Sequence, residues 1–311
     1  MGTTLFSQGF IIGVLATGVR LAAPFLFAGL GEVFAERSGV LNLGVDGIML
    51  MGAFIGFWAA YTLGSPWMGL LAAAIVGALM GLFMALISVH LQANQGIAGI
   101  GLQLLGWGLS GLLFRLTFGA VTGVRGFPAI EIPGLSHLPF IGPVLFRQNI
   151  LVYLAISLVP VSAFVLFRTT LGLKIRAVGE NPEAADTLGV SVYGIRYLCV
   201  MLGGILAGIA GAFLTIGQMN MFVDNITSGR GFIAIALVCF GRWHPYGVLV
   251  GALLFSVLDA LQMWIQVIGA PIPYEFLVML PYVLTIVVLA TAVGRARGPL
   301  ALSKPYTRGE R

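Results

Sequence analysis

The stretch WMGLLAAAIVGALMGLFMALISVH, from Trp67 to His90, holds no acidic residue, lysine or arginine. A hydrocarbon core about 30 Å thick is crossed by roughly 20 helical residues at 1.5 Å each, so this run has the length and chemistry of a transmembrane helix. Comparable apolar runs lie on either side of it, over about 8–30, 43–62, 96–118, 149–168, 194–216, 246–268 and 274–293, with a shorter one at 231–241. The turn Gly64-Ser65-Pro66 separates two of them, and the Pro/Gly-rich stretch from Gly123 to Pro143 separates two others. This pattern predicts an all-α polytopic membrane protein of eight to ten transmembrane helices, forming one membrane domain over residues 1–311.

Composition supports the same class. The chain is 59% hydrophobic and 9% charged, against roughly 25% charged in a soluble domain, so it cannot cover a globule with polar surface. Its 44 glycines suit helices that approach closely or break inside a bilayer. The first apolar run is too long for a secretory signal, is interrupted by Arg20 and has no basic flank before it.

The net charge of +5 does not point to nucleic acid, because no basic face with interleaved aromatics appears. The basic residues gather instead in two places: Arg168, Lys174, Arg176 and Arg196 around one hydrophilic segment, and Arg295, Arg297, Lys304, Arg308 and Arg311 in a tail over 295–311. Both places are expected to be cytoplasmic. Counting back through the spans then puts the loop 119–147 outside, the loop near His90 inside and the N-terminus outside. Cys199 and Cys239 sit in apolar runs without ligand spacing, and His90, His137 and His244 are scattered, so no metal site is expected.

Two segments resist a plain helical reading: ERSGVLNLGVDG, Glu36 to Gly47, and SGRGFIAIALVCFGRWHPYG, Ser228 to Gly247. Irregular backbone at membrane depth is tolerated only where protein buries it or it lines a wet cavity. Each precedes a glycine-spaced apolar helix, a hint of duplicated halves around a central path.

The most informative soluble stretch is LGLKIRAVGENPEAADTLGVSVYGIR, Leu171 to Arg196, within a cytoplasmic segment of about 169–195. Asn181 is a good N-cap, Pro182 suits the first helical position, Glu183 and Asp186 complement the positive end of the dipole, and Gly189 ends the turn. A helix over about 182–188 follows, too short to stand without tertiary contacts or a partner. Ala184, Ala185 and Leu188 would form its apolar face while Glu183 and Asp186 stay wet. The geometry suits docking into a shallow groove on another protein; an amphipathic loop lying on the membrane is the alternative.

This segment resembles the cytoplasmic loop of ATP-binding-cassette (ABC) importer permeases, with Glu183-Ala184-Ala185 matching its Glu-Ala-Ala core and Gly189 its glycine. GEVFAERSGVLNLGVDGIMLMGAF, Gly31 to Phe54, and GRGFIAIALVCFGRWHPYGVLVGALLF, Gly229 to Phe255, resemble signatures of the branched-chain amino acid, ribose and nucleoside class, closest to its purine-nucleoside branch. The resemblance implies a type II-like permease fold of ten helices, against the nine spans counted, with a pair of half-helices merged near 31–47 as one explanation. It implies a coupling helix for an ATPase, carried here by Glu180, Asn181, Pro182, Glu183, Ala184, Ala185, Asp186, Leu188 and Gly189. It further implies an ABC ATPase partner, a substrate-binding protein outside, a second identical or homologous permease subunit, lipid surroundings in a bacterial cytoplasmic membrane, and a small polar cargo, a nucleoside by its closest branch, with a sugar or branched-chain amino acid as the alternative. ATP and magnesium would serve the partner, and no cofactor is expected on this chain.

The chain itself has no GxxxxGK[ST] loop, and Gly96 to Gly101 open an apolar helix with no strand before them, so neither ATP hydrolysis nor dinucleotide binding is expected. No HExxH, GxSxG or paired-carboxylate arrangement suggests an enzyme. An ion-coupled secondary transporter is an alternative, but carboxylates in the spans are few; a scaffolding role would leave the glycine-broken segments without a reason. An uncharged cargo with a base and a sugar calls for amides, hydroxyls and aromatic faces. Asn42, Asn94, Gln103 and Trp107 are the expected path residues, with Gln95, Gln218 and Asn220 of the same chemistry. The ionisable residues at depth, Arg20, Asp46, Arg115 and Asp259, each merit a role, and the two carboxylates are expected to answer arginines.

Overall fold

The computed structural model describes residues 8–119, 123–268 and 298–307, with a few positions between 273 and 287. Most of the span expected over 274–293, and the basic positions Arg295, Arg297, Arg308 and Arg311, lie outside the described residues.

Helix α1 runs over Gln8–Arg37, α2 over Val45–Leu63, α3 over Pro66–Ala85 with a π-helical end at Leu86–His90, and α4 over Gln95–Thr117. A small antiparallel pair, β1 (Ala129–Glu131) and β2 (Arg147–Asn149), brackets the short α5 (Ile141–Leu145) in the Pro/Gly-rich connection. Then come α6 (Ile150–Arg168), α7 (Thr170–Glu180), α8 (Pro182–Thr187), α9 (Val192–Ala212, with a π-helical end at Phe213–Met219), α10 (Arg230–Phe240) and α11 (Pro245–Ile268). Among the described residues seven helices are long and apolar enough to cross a membrane, and α10 is shorter.

The boundaries follow local chemistry. Gly64 ends α2 with φ at +66°, a left-handed turn that glycine adopts without a Cβ clash, and Pro66 opens α3. Asn94, Asn149, Thr169, Asn181 and Ser191 each cap a helix by accepting a backbone N–H. Helix α1 extends to Arg37 instead of ending near residue 30, because Glu32, Glu36 and Arg37 end an apolar run without breaking a helix. No half-helix pair lies between 31 and 47; the break there is the irregular segment 38–44.

Helix α9 is the hub. A Cβ at Gly203 or Gly204 would press on backbone of α1 or α3, and one at Gly211 would overlap the Met49 carbonyl of α2. With no hydrophobic drive between helices in lipid, this close backbone approach supplies the packing energy. In contrast, α4 leans mainly on α2, and Ile97, Leu104, Trp107, Leu112 and Leu116 along it are exposed.

The ends sort into two sides as expected. Gln92, after the π-turn at His90, donates to the carbonyl of Tyr306, and the Ala301 N–H donates to Gly179 of α7, so the His90 loop, α7 and the tail share a side. Tyr61 and Phe118 meet ring to edge at the opposite end.

Candidate functional site

Loop 220–229 follows α9 and returns into the bundle, so that α10 begins beside the start of α2. Gly231 makes this possible: a Cβ there would overlap the backbone of Asp46. Asp46, 1% exposed, lies in the first turn of α2. Its Oδ1 accepts the Gly231 N–H at 2.9 Å, and its Oδ2 accepts Gln103 Nε2 and Thr227 Oγ1, each at 3.0 Å. Two helix N-termini therefore converge on one carboxylate, which complements both dipoles and ties α2, α4, the loop and α10 together. The expectation that Asp46 answers an arginine is replaced by this set of uncharged donors.

Asp259, in the middle of α11, does face an arginine. Arg230 opens α10, and the two side chains line a cavity of about 110 Å³ with Ser228, Gln262, Phe25 and Phe255. Arg230 Nη1 donates to the Ile226 carbonyl at 3.2 Å, and no ion pair closes across the cavity among the described residues, so a polar group there would meet a carboxylate, a guanidinium and an amide. Arg115 and Arg20 instead serve neutral groups: Arg115 Nε donates to the Gly111 carbonyl and Arg20 Nε to Gln148 Oε1.

The expected path residues separate. Gln103 and Trp107 stand one turn apart on α4; Trp107 is 49% exposed, and Gln103 leaves its buried Oε1 without a partner. Asn42 accepts the Gly44 N–H inside the 38–44 break, and Asn94 caps α4 through the Ile97 N–H, so both have local structural work. Gln95 accepts the Leu41 N–H, and the Asn220 carbonyl accepts from Val124. The structure adds Thr227, Arg230 and Gln262 to the site; their signal in the sequence was polarity inside or beside an apolar run.

At the end of the bundle shared with the tail, α8 covers Pro182–Thr187, capped by Asn181 Oδ1 at 3.0 Å from the Ala184 N–H and ended by Gly189 at φ +82°. Its faces differ from the expected ones. Ala185 is buried with Val178, Val192 and Tyr306, whereas Ala184, Glu183 and Leu188 point outward, Leu188 at 84% exposure. Six residues span under two turns, and the chain needs one inward anchor, so the alanines divide between the two sides. Asp186 is half-buried instead of wet. A groove of about 350 Å³ runs between α8 and the tail, lined by Glu180, Asn181, Pro182, Glu183, Lys304 and Thr307 among others.

Nearby, Arg37 at the end of α1 donates to the carbonyls of Trp243 and Arg242 and lies over the ring of Phe167. Glu36, fully buried, accepts the Trp243 indole N–H at 2.5 Å; the Glu32 carboxylate is buried beside the Asn42 backbone N–H. His244 stacks on Phe167 and Tyr246, and partial burial, followed by the nearby Arg37 charge, holds its pKa below the ordinary imidazole value.

Residues 14–289 match the family described as branched-chain amino acid transport system, permease component. TsgC13 of Haloferax volcanii, named provisionally as a glucose ABC transporter permease protein, is 41% identical over 97% of this chain and 99% of its own length. The guanosine ABC transporter permease protein NupQ of Bacillus subtilis is 38% identical over 93% and 95%. The nucleoside ABC transporter permease protein NupC of Lactococcus lactis is 36% identical over 96% and 97%. A bundle of spanning helices, with this match over most of its length, places the chain in the branched-chain amino acid transport permease family, as a multi-pass permease subunit of an ABC importer in the cytoplasmic membrane.

Proposed function

We propose that this subunit carries a nucleoside, along a path walled by Gln103 and Trp107 of α4, loop 220–229, and the cavity of Arg230, Asp259 and Gln262. The observation that carries this reading is the polar lining beside α10: a carboxylate, a guanidinium and an amide share one cavity with Phe25 and Phe255. A sugar ring offers hydroxyls that donate to the carboxylate and accept from the guanidinium, and a base offers a flat face to Trp107. The guanosine and nucleoside permeases among the relatives support the same cargo.

A hexose is the second reading, favoured by the relative named for glucose. It shares the hydroxyl-bearing ring and lacks the base. ATP-driven uptake into proteoliposomes, challenged with excess guanosine or glucose, separates the two: guanosine competition supports the nucleoside reading, and competition by glucose alone overturns it.

Importers of this family work with ATPase and substrate-binding partners. The handle for the ATPase is α8, with exposed Leu188, Ala184 and Glu183 entering a groove on the partner. Two permease subunits, identical or homologous, enclose the path, and closure of the ATPase pair draws the handles together and turns the bundle inward by alternating access. ATP and magnesium belong to the ATPase, and the binding protein outside supplies most of the selectivity.

A further inference from the structure

The tail over 298–307 lies between two places that the mechanism must connect. On one side is the platform of α8. Tyr306 is 7% exposed and packs with Val178, Ala185 and Val192, and its carbonyl accepts from Tyr193 Oη and Gln92 Nε2, each at 3.1 Å. The Ala301 N–H donates to the Gly179 carbonyl at 2.9 Å.

On the other side is the break between α1 and α2. The Ser303 N–H donates to the Gly39 carbonyl at 3.1 Å. Arg196, at the cytoplasmic end of α9 and 1% exposed, joins the two strands of chain: its Nε donates to the Ser38 carbonyl at 3.3 Å and its Nη1 to the Lys304 carbonyl at 3.2 Å. A side chain at Gly39, whose φ is +94°, would run into the Arg196 guanidinium and the Ala301 carbonyl, so the contact is tight on both faces. Segment 38–44 leads directly to Asp46, and Asp46 holds the start of α10 and Gln103 of α4.

We infer that Arg196 and the tail are positioning elements of coupled transport: they transmit displacement of α8 to segment 38–44 and so to the Asp46 junction on the path. The burial of Arg196 fits this role. Its Nε and Nη1 each hold one strand through a carbonyl while Nη2 is buried without a hydrogen bond, so separating either strand would leave a further buried donor unpaired in a guanidinium already short of partners. Without it, α8 would still be docked to the ATPase but would move against a compliant connection. The inference rests on α8 being the ATPase handle.

The test uses the whole transporter in proteoliposomes, with ATPase, permease partner and binding protein present. Arg196→Met removes both donors while keeping the volume, Arg196→Lys keeps one cation, and a chain ending at Gly298 removes the tail contacts. Three quantities are read: ATPase co-purification, ATP hydrolysis, and cargo imported per ATP hydrolysed. The expected result for Arg196→Met and for the shortened chain is undiminished co-purification and hydrolysis with import per ATP reduced about tenfold, the scale of a typical coupling free energy. The double variant should be no worse than either alone, because both cut one connection. Arg196→Lys should recover part of the ratio.

If either severe variant fails to reach the membrane folded, Tyr193→Phe decides. It deletes one hydroxyl on the Tyr306 carbonyl and should lower the ratio by about threefold, the worth of one hydrogen bond. An unchanged ratio in folded Arg196→Met, or in Tyr193→Phe, overturns the inference. Loss of ATPase co-purification in the Arg196→Met variant also overturns it, since the tail would then be part of the docking surface. Loss of co-purification in Leu188→Asp tests the handle assignment separately.

Discussion

The carboxylate of Asp46 accepts the backbone N–H of Gly231 at 2.9 Å, joining positions 185 residues apart. Asparagine at 46 supplies one acceptor oxygen where the carboxylate supplies two, so at least one of the three donors loses its best geometry. Asp46→Asn is expected to lower stability by about 2 kcal/mol, read as a fall in melting temperature of the purified permease. Gly231→Ala should be worse, because its methyl would enter the Asp46 backbone. Equal melting temperatures for wild type and Gly231→Ala would show that α10 does not approach α2 this closely.

Ala185 and Leu188 make opposite predictions from one short helix. Leu188→Asp places a charge on a side chain already 84% exposed, so the permease should stay folded and lose its ATPase. Ala185→Asp puts an unpaired carboxylate among Val178, Val192 and Tyr306, costing about 3 kcal/mol, and should lower the thermal stability of the permease itself. Size-exclusion profiles with and without the ATPase distinguish the two outcomes.

Glu32 and Glu36 lie one turn apart on α1, yet differ in their partners. Glu32→Gln removes a buried charge while keeping an oxygen for the Asn42 backbone N–H and should leave stability unchanged or raise it by about 1 kcal/mol. Glu36→Ala strands the Trp243 indole N–H and should cost about 2 kcal/mol. The reverse order in thermal melts would mean that Glu32 has the stronger partner.

Asp259 and Arg230 face one cavity from two helices. Asp259→Asn should reduce import about tenfold, with ATPase binding unaltered, because a hydroxyl acceptor on the path is weakened while α8 is untouched. Full import by the variant would remove this cavity from the path.

Much of the helical frame was legible from residues. The runs at 43–62 and 67–90 became helices at Val45–Leu63 and Pro66–His90, since length and apolarity fix a span within a turn. The cap at Asn181, the stop at Gly189 and the irregular segment around 38–44 were readable for the same reason: each rests on local backbone chemistry. What the sequence could not show is which side of a short helix faces inward, because Ala184 and Ala185 are chemically alike and only the position of Tyr306, far along the chain, separates them. Likewise, Asp46 was marked by its depth but not by its partners. Those partners lie on α4, the 220–229 loop and α10, and only the return of that loop into the bundle brings them together.

The central claim is that this chain supplies a path and a handle while ATP on a partner supplies the energy. Reconstitution of the permease with its ATPase and binding protein should give import of labelled guanosine that requires internal ATP and stops when Leu188→Asp is used. Import by this chain alone, driven by an ion gradient without ATP or an ATPase, would contradict it.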